Sequence, residues 1–283
     1  MRPRDRSREA IIVGTDFSRC ADIAFDRALQ IARARAAALH VVHAHPRLPR
    51  ALVDMIRGRD EVAERKALAA LLRRARAAKV AAHAHNVQGT ATGVLRAKAR
   101  DLHASLVVVG ARGRTVPDAF IGSTAERVAA TARVPALLVR SAHHGYREVL
   151  IAADEESDLT LMRKAAETTA PGVEISILHA YQDPFEPTLL LHGVPAPQVA
   201  KYRKETRQHA RESMLTRLAD AGFDPSQLVL RHGDARRVLL REDQHRRHTL
   251  FVIDRGESEL EHVLLGSVTR LLVAHASSDV LIT

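Results

Sequence analysis

Short apolar runs alternate with longer amphipathic stretches from one end of the chain to the other. In the first half, AIIVG at residues 10–14, ALHVVH at 38–43, residues 80–87, 106–109 and 136–139 read as five strands. Between them apolar positions recur at helical spacing. Ser18 caps a helix running to about residue 36, and others cover about 50–78, 92–103 and a segment opening at Ser123. Several of the strands are apolar on both faces, as in a parallel sheet covered by helices on each side. Right-handed βαβ connections then gather the loops at the carboxyl ends of the strands on one rim, where open α/β sheets bind ligands.

The second half repeats this order. EVLIAADEESDLTLMRKAAE, from residue 148, echoes AIIVGTDFSRCADIAFDRALQ, from residue 10, and sets Asp154 at the level of Asp16. ISILHAY echoes LHVVHAH and sets His179 at His43. Gly233 follows Gly89 by 144 positions, and Gly266 and Ser267 follow Gly122 and Ser123 by the same 144. A constant offset of this kind marks a tandem duplication. The expected fold is α/β: two tandem Rossmann-like or flavodoxin-like domains, each a five-stranded parallel sheet with helices on both faces. Their expected bounds are 1–142 and 146–283, joined by SAHHGY at residues 141–146.

Composition narrows the chemistry. At 283 residues with 46% apolar content the chain can bury two ordinary cores. Cys20, the only cysteine, excludes an intrachain disulfide and a thiolate-rich zinc site; it reads as a small residue near the start of a helix, with a redox-sensitive thiol as the alternative. The net charge of +10 raises a polyanion partner, but the arginines are scattered along amphipathic helices and no tryptophan is present to stack on bases. Solvated helix faces explain them better than nucleic acid, and the positive field would still attract anionic ligands. No apolar run approaches the roughly 20 residues of a membrane-spanning helix, so a cytoplasmic protein without membrane attachment is expected.

The densest candidate chemistry is VVVGARGRTVPDAFIGSTAERV, residues 107–128. Gly110 and Gly113 follow a strand, and Gly122, Ser123 and Thr124 open the next helix, on the rim that also carries Asp16. Glycines admit backbone N–H groups close to phosphate oxygens, and a helix N-terminus adds unpaired donors and a favourable dipole. Asp16 is placed to accept from a ribose hydroxyl or an adenine amine, and the backbone of Val41 to meet a base. Each element alone has a plain reading as a turn or a helix cap.

In IIVGTDFS, LHVVHAH, and VVVGARGR followed by IGSTAERV and VPALLV, the chain resembles the tandem universal stress proteins, and the resemblance covers nearly its whole length. The resemblance implies ATP, with Mg²⁺, bound through Asp16, Val41, Gly110, Gly113, Gly122, Ser123 and Thr124. It also implies association through the last strands, here VPALLV and DVLIT, giving an intramolecular pseudo-dimer, a homodimer and further protein partners. The sequence departs from the family pattern in one respect: eight residues, RTVPDAFI, separate Gly113 from Gly122 where nine are expected.

In the second copy, DRGESELEHVLLGSV has the same loop length, but Asp254 and Glu257 stand where the first has Gly110 and Gly113. Carboxylates facing a polyphosphate repel it by about 1 to 4 kcal/mol per close pair, so this copy is expected not to bind ATP in the same manner. The alternatives are an interaction module in which neither copy binds nucleotide, and a slow ATPase. No nucleophile elbow, carboxylate pair or lysine-bearing phosphate loop identifies catalytic residues.

His43 and His45 on one strand and His83 and His85 on the next would bring four imidazoles together if the strands are neighbours. The competing reading is hydrogen-bonded or solvent-facing histidines, since no acidic partner is evident to orient them. Residues 181–198, punctuated by prolines, read as a loop leading into a helix at about 197–221, with a lid over a lipid or small molecule as the alternative.

Overall fold

The computed structural model describes residues 9–45, 50–111, 122–142, 145–246, 248–256 and 265–283. The first copy runs β1 (Ala10–Thr15), α1 (Arg19–Ala34), β2 (Ala38–His45), α2 (Arg50–Ala77), β3 (Ala82–Gln88), α3 (Ala91–Asp101), β4 (Leu106–Gly110), α4 (Ser123–Thr131) and β5 (Ala136–Val139). The second runs β6 (Glu148–Ala152), α5 (Leu159–Thr169), β7 (Ile175–Tyr181), α6 (Glu186–Leu191), α7 (Ala196–Asp220), β8 (Leu228–His232), α8 (Ala235–His245), β9 (Thr249–Ile253), α9 (Ser267–His275) and β10 (Asp279–Ile282). One element departs from the sequence expectation: α6 forms inside the segment read as a loop, with Pro187 in its first turn, where a missing N–H costs nothing.

Within each copy the five strands are parallel, and the two sheets join at their last strands into one ten-stranded sheet ordered β3-β2-β1-β4-β5-β10-β9-β6-β7-β8. The join is the single antiparallel step, with Val280 opposite Leu138 and Ile282 opposite Ala136. Each last strand would otherwise be an open edge, so each covers the other.

Strand alternation divides the core between the two faces of this sheet. Ile11, Val13, Leu39 and Val41 pack with Phe25 on one face, and the same layer continues through Val149, Ile151 and Met162 of the second copy. Ile12, Val42, Val107 and Leu138 face the other way and continue into Leu150, Phe251 and Val280. Both layers cross the join, so burial of roughly 25 cal/mol per Å² of apolar surface stabilises the pair of copies as a unit.

Polar contacts reinforce the junction. Asp279 is fully buried; one carboxylate oxygen accepts from the amides of Arg140 (2.8 Å) and Ser141 (3.2 Å) and the other from the Tyr146 hydroxyl (2.9 Å). Arg27 of α1 lies 3.4 Å from the same carboxylate and over the Tyr146 ring at 4.3 Å. Burial and the neighbouring Asp279 hold the Tyr146 phenol well above its ordinary range, so it stays a donor. Nearby, Arg255 of the second copy donates to the carbonyls of Ala129 (3.1 Å) and Val134 (3.4 Å) of the first, while Arg140 of the first donates to Val273 of the second.

Candidate functional site

The helices that follow β1, β3, β6 and β8 are capped by side chains: Ser18, Thr90, Asp158 and Asp234 each accept from an amide in the first turn. The helices that follow β4 and β9 begin instead at Gly122 and Gly266, with no side-chain cap. A helix start of this kind leaves its first N–H groups to whatever approaches from the rim.

At the end of β1 the chain turns tightly. The Phe17 amide donates to Thr15 Oγ1 and the Ser18 amide to Asp16 Oδ1, both at 3.0 Å, with Phe17 in the left-handed region at φ 59°. This turn holds the half-buried Asp16 on the rim. The His43 ring sets its floor, its Nδ1 2.8 Å from the Thr15 carbonyl, which makes Nδ1 the protonated nitrogen. The His43 ring also packs against Phe17, tilted by 37° with centroids 4.5 Å apart, and its Nε2 lies 3.5 Å from Glu64.

β4 is the neighbour of β1, with Val108 opposite Val13, so the register carried forward sets Gly110 opposite Thr15, one residue short of Asp16. From there the Ala111 carbonyl accepts from the buried Gly122 amide at 2.9 Å, closing the loop at its base. The structure therefore gathers Asp16, Gly110 and Gly122 at one end of adjacent elements. Ser123 and Thr124 are the first two residues of α4, and Thr124 is exposed. Gly113 lies outside the described residues.

Val41 lies below the rim. It sits inside β2, opposite Val13 on one side and Ala84 on the other, and its side chain is fully buried in the core. Because His43 is opposite Thr15, the residue that reaches the rim beside Asp16 is Ala44. The signal for this was the strand register, which a single strand's sequence does not display.

The second copy keeps the frame and changes the lining. His179 Nδ1 contacts the Ala153 carbonyl at 3.0 Å as His43 does Thr15, and the Gly266 amide donates to Arg255 at 2.8 Å as Gly122 does to Ala111. A cavity of about 210 Å³ sits at this rim, lined by Asp154, Ala180, Asp254, Gly266 and Ser267 among others. Both carboxylates are engaged locally: Asp154 accepts from the amides of Glu156 and Ser157 and from the Ser157 hydroxyl, and Asp254 from the Gly256 amide. Two carboxylates in one small cavity disfavour a phosphate. Glu257 lies outside the described residues.

The histidines do not converge as a set of four. β2 and β3 are neighbours, but His40 is opposite His83 and Val42 opposite His85, so His83 and His85 share a face with His40, and His43 and His45 point to the other. His40 Nδ1 lies 3.0 Å from His85 Nε2. Burial, then the adjacent His85, His83 and Lys98, push His40 down to about 4. Among the described residues no group of three or more metal-ligating side chains is positioned to hold an ion, and no helix is long and apolar enough to cross a membrane.

Comparison with known proteins agrees with the duplication. The universal stress protein family model matches residues 7–140 and again 145–283. A functionally unknown protein from Pseudomonas aeruginosa PAO1 superposes with a TM-score of 0.68 at 17% identity, over 98% of this chain and 92% of that one. A universal stress protein from Archaeoglobus fulgidus DSM 4304 gives 0.67 at 16% identity, over 96% and 97%. At such identities the likeness is one of fold. No curated protein matches the chain. With both halves matched by one family model and folded around the same frame, the chain belongs to the universal stress protein family, with two copies of its domain in tandem.

Proposed function

We propose that the chain is a cytoplasmic stress-response protein whose first copy binds ATP, with Mg²⁺, as a regulatory ligand, and whose second copy has lost that capacity. The contrast between the two rims carries this reading. Both rims carry an aspartate, Asp16 or Asp154, and a helix start without a side-chain cap, at Gly122 or Gly266; they differ where the first has Gly110 and the second has Asp254, which lines a small cavity with Asp154. The donor chemistry of the first rim suits a polyphosphate: backbone N–H groups at a helix N-terminus without a side-chain cap, with the exposed Thr124 in its first turn. Asp16 would accept from the sugar or the base, and the β2 backbone from Val41 to Ala44 would meet the base. Bound ATP would bring negative charge to the rim between Gly110 and Gly122 and so change the surface presented to protein partners.

Calorimetry of the full chain with Mg-ATP tests this, beside Gly113→Glu, which copies Glu257 into the first loop. Saturable binding by the wild type and none by the variant supports the site; equal affinity in both removes it.

A second reading, an interaction scaffold without nucleotide, is favoured by the continuous ten-stranded sheet, which gives the pair of copies a stable frame on its own. Absence of binding to the wild type would select it.

A further inference from the structure

The groove between α3 and α4 of the first copy, from Thr92 and Gly93 in the first turn of α3 to Arg133 beyond α4, holds a cavity of about 450 Å³, a size typical of small-molecule pockets. Its floor is apolar, formed by Leu95, Ala99, Val107 and Val128. Three exposed arginines, Arg96, Arg100 and Arg133, border it. Arg100 pairs with Asp101 at 3.2 Å, whereas Arg96 and Arg133 have no ion pair among the described residues.

The second copy supplies the comparison, because 144 positions on the same groove carries different residues. Ala99 becomes the buried Asp243, whose carboxylate accepts from the amides of Ser277 (2.7 Å) and Ser278 (3.0 Å) and ties α8 to the end of α9. Val107 becomes the fully buried Phe251, a larger side chain at the same floor position. The cations are replaced as well: Arg96, Arg100 and Arg133 become Leu240, Gln244 and Ser277. The small floor residues and the cationic border thus occur together in one copy and are replaced together in the other.

We infer that this groove is a second ligand site, distinct from the one proposed at Gly110 and Gly122, for a small organic anion with an apolar body; a medium-chain acyl carboxylate is its simplest form. The apolar portion lies on Val107 and Val128, and the anionic head meets Arg96 and Arg133. Positive residues confined to a rim over an apolar floor complement such a molecule and disfavour a neutral or cationic one of the same length.

Calorimetric titration of the full chain with sodium decanoate tests this, with decylammonium as the control of opposite charge. One saturable decanoate site is expected, at least tenfold weaker in the Arg96→Gln/Arg133→Gln double variant and in Val107→Phe, and unchanged by Gly113→Glu or by saturating Mg-ATP. The double variant alters only exposed side chains and keeps the test valid if Val107→Phe fails to fold. No decanoate binding, equal binding of decylammonium, equal affinity in the double variant, or displacement by ATP each overturns the proposal.

Discussion

A Cβ placed on Gly110 would stand 2.9 Å from both the carbonyl carbon and the oxygen of Cys20, so the end of β4 and the first turn of α1 meet backbone to backbone. The glycine is required by packing before any ligand arrives. The second copy accommodates Asp254 at this position because α5 begins at Leu159, five residues after Asp154, whereas α1 begins at Arg19, only three after Asp16. Gly110→Ala should therefore destabilise the ligand-free protein by about 1–3 kcal/mol. Chemical denaturation without nucleotide measures it, and an unchanged midpoint would show that the contact relaxes freely.

Asp279 joins the copies through groups that are distant in sequence: Arg27 in α1, the Arg140 and Ser141 amides, and Tyr146. Removing the carboxylate leaves Arg27 buried beside a lost counter-charge, and breaking one side of such a pair costs about 3–5 kcal/mol. Asp279→Ala should lower stability by that order and separate the unfolding of the two copies. A single cooperative transition at the wild-type temperature would show that the apolar layers alone hold the join.

The parts of this structure that repeat locally were legible in the sequence. Strands such as AIIVG and the offset shared by Gly122 and Gly266 reflect short-range pattern, and they appear where expected as β1 and as the starts of α4 and α9. Long-range geometry was not legible. The depth of Val41 depends on its register with Val13, and the separation of His43 from His83 depends on which face each strand presents. The role of Asp279 needs a partner some 250 positions away at Arg27, and α6 forms in a segment whose prolines read as a loop but sit where a helix admits them.

The imidazole of His40 supplies a pH dependence. Its folded value of about 4 lies below its ordinary 6.5, held there first by burial and then by His85, His83 and Lys98. The folded state therefore binds fewer protons than the unfolded chain between these values. The contribution to stability is fully present above about pH 6.5 and is lost as pH falls towards 4. Thermal unfolding from pH 7 to pH 4 should show a falling midpoint, and His40→Leu should flatten part of that slope; an identical slope in the variant would assign the dependence elsewhere.

On the proposed reading only the first copy takes a nucleotide. Native mass spectrometry of the full chain incubated with Mg-ATP counts the bound nucleotides directly. One ATP per chain is expected, and none in Gly113→Glu; two per chain, or none in the wild type, would contradict the proposed site.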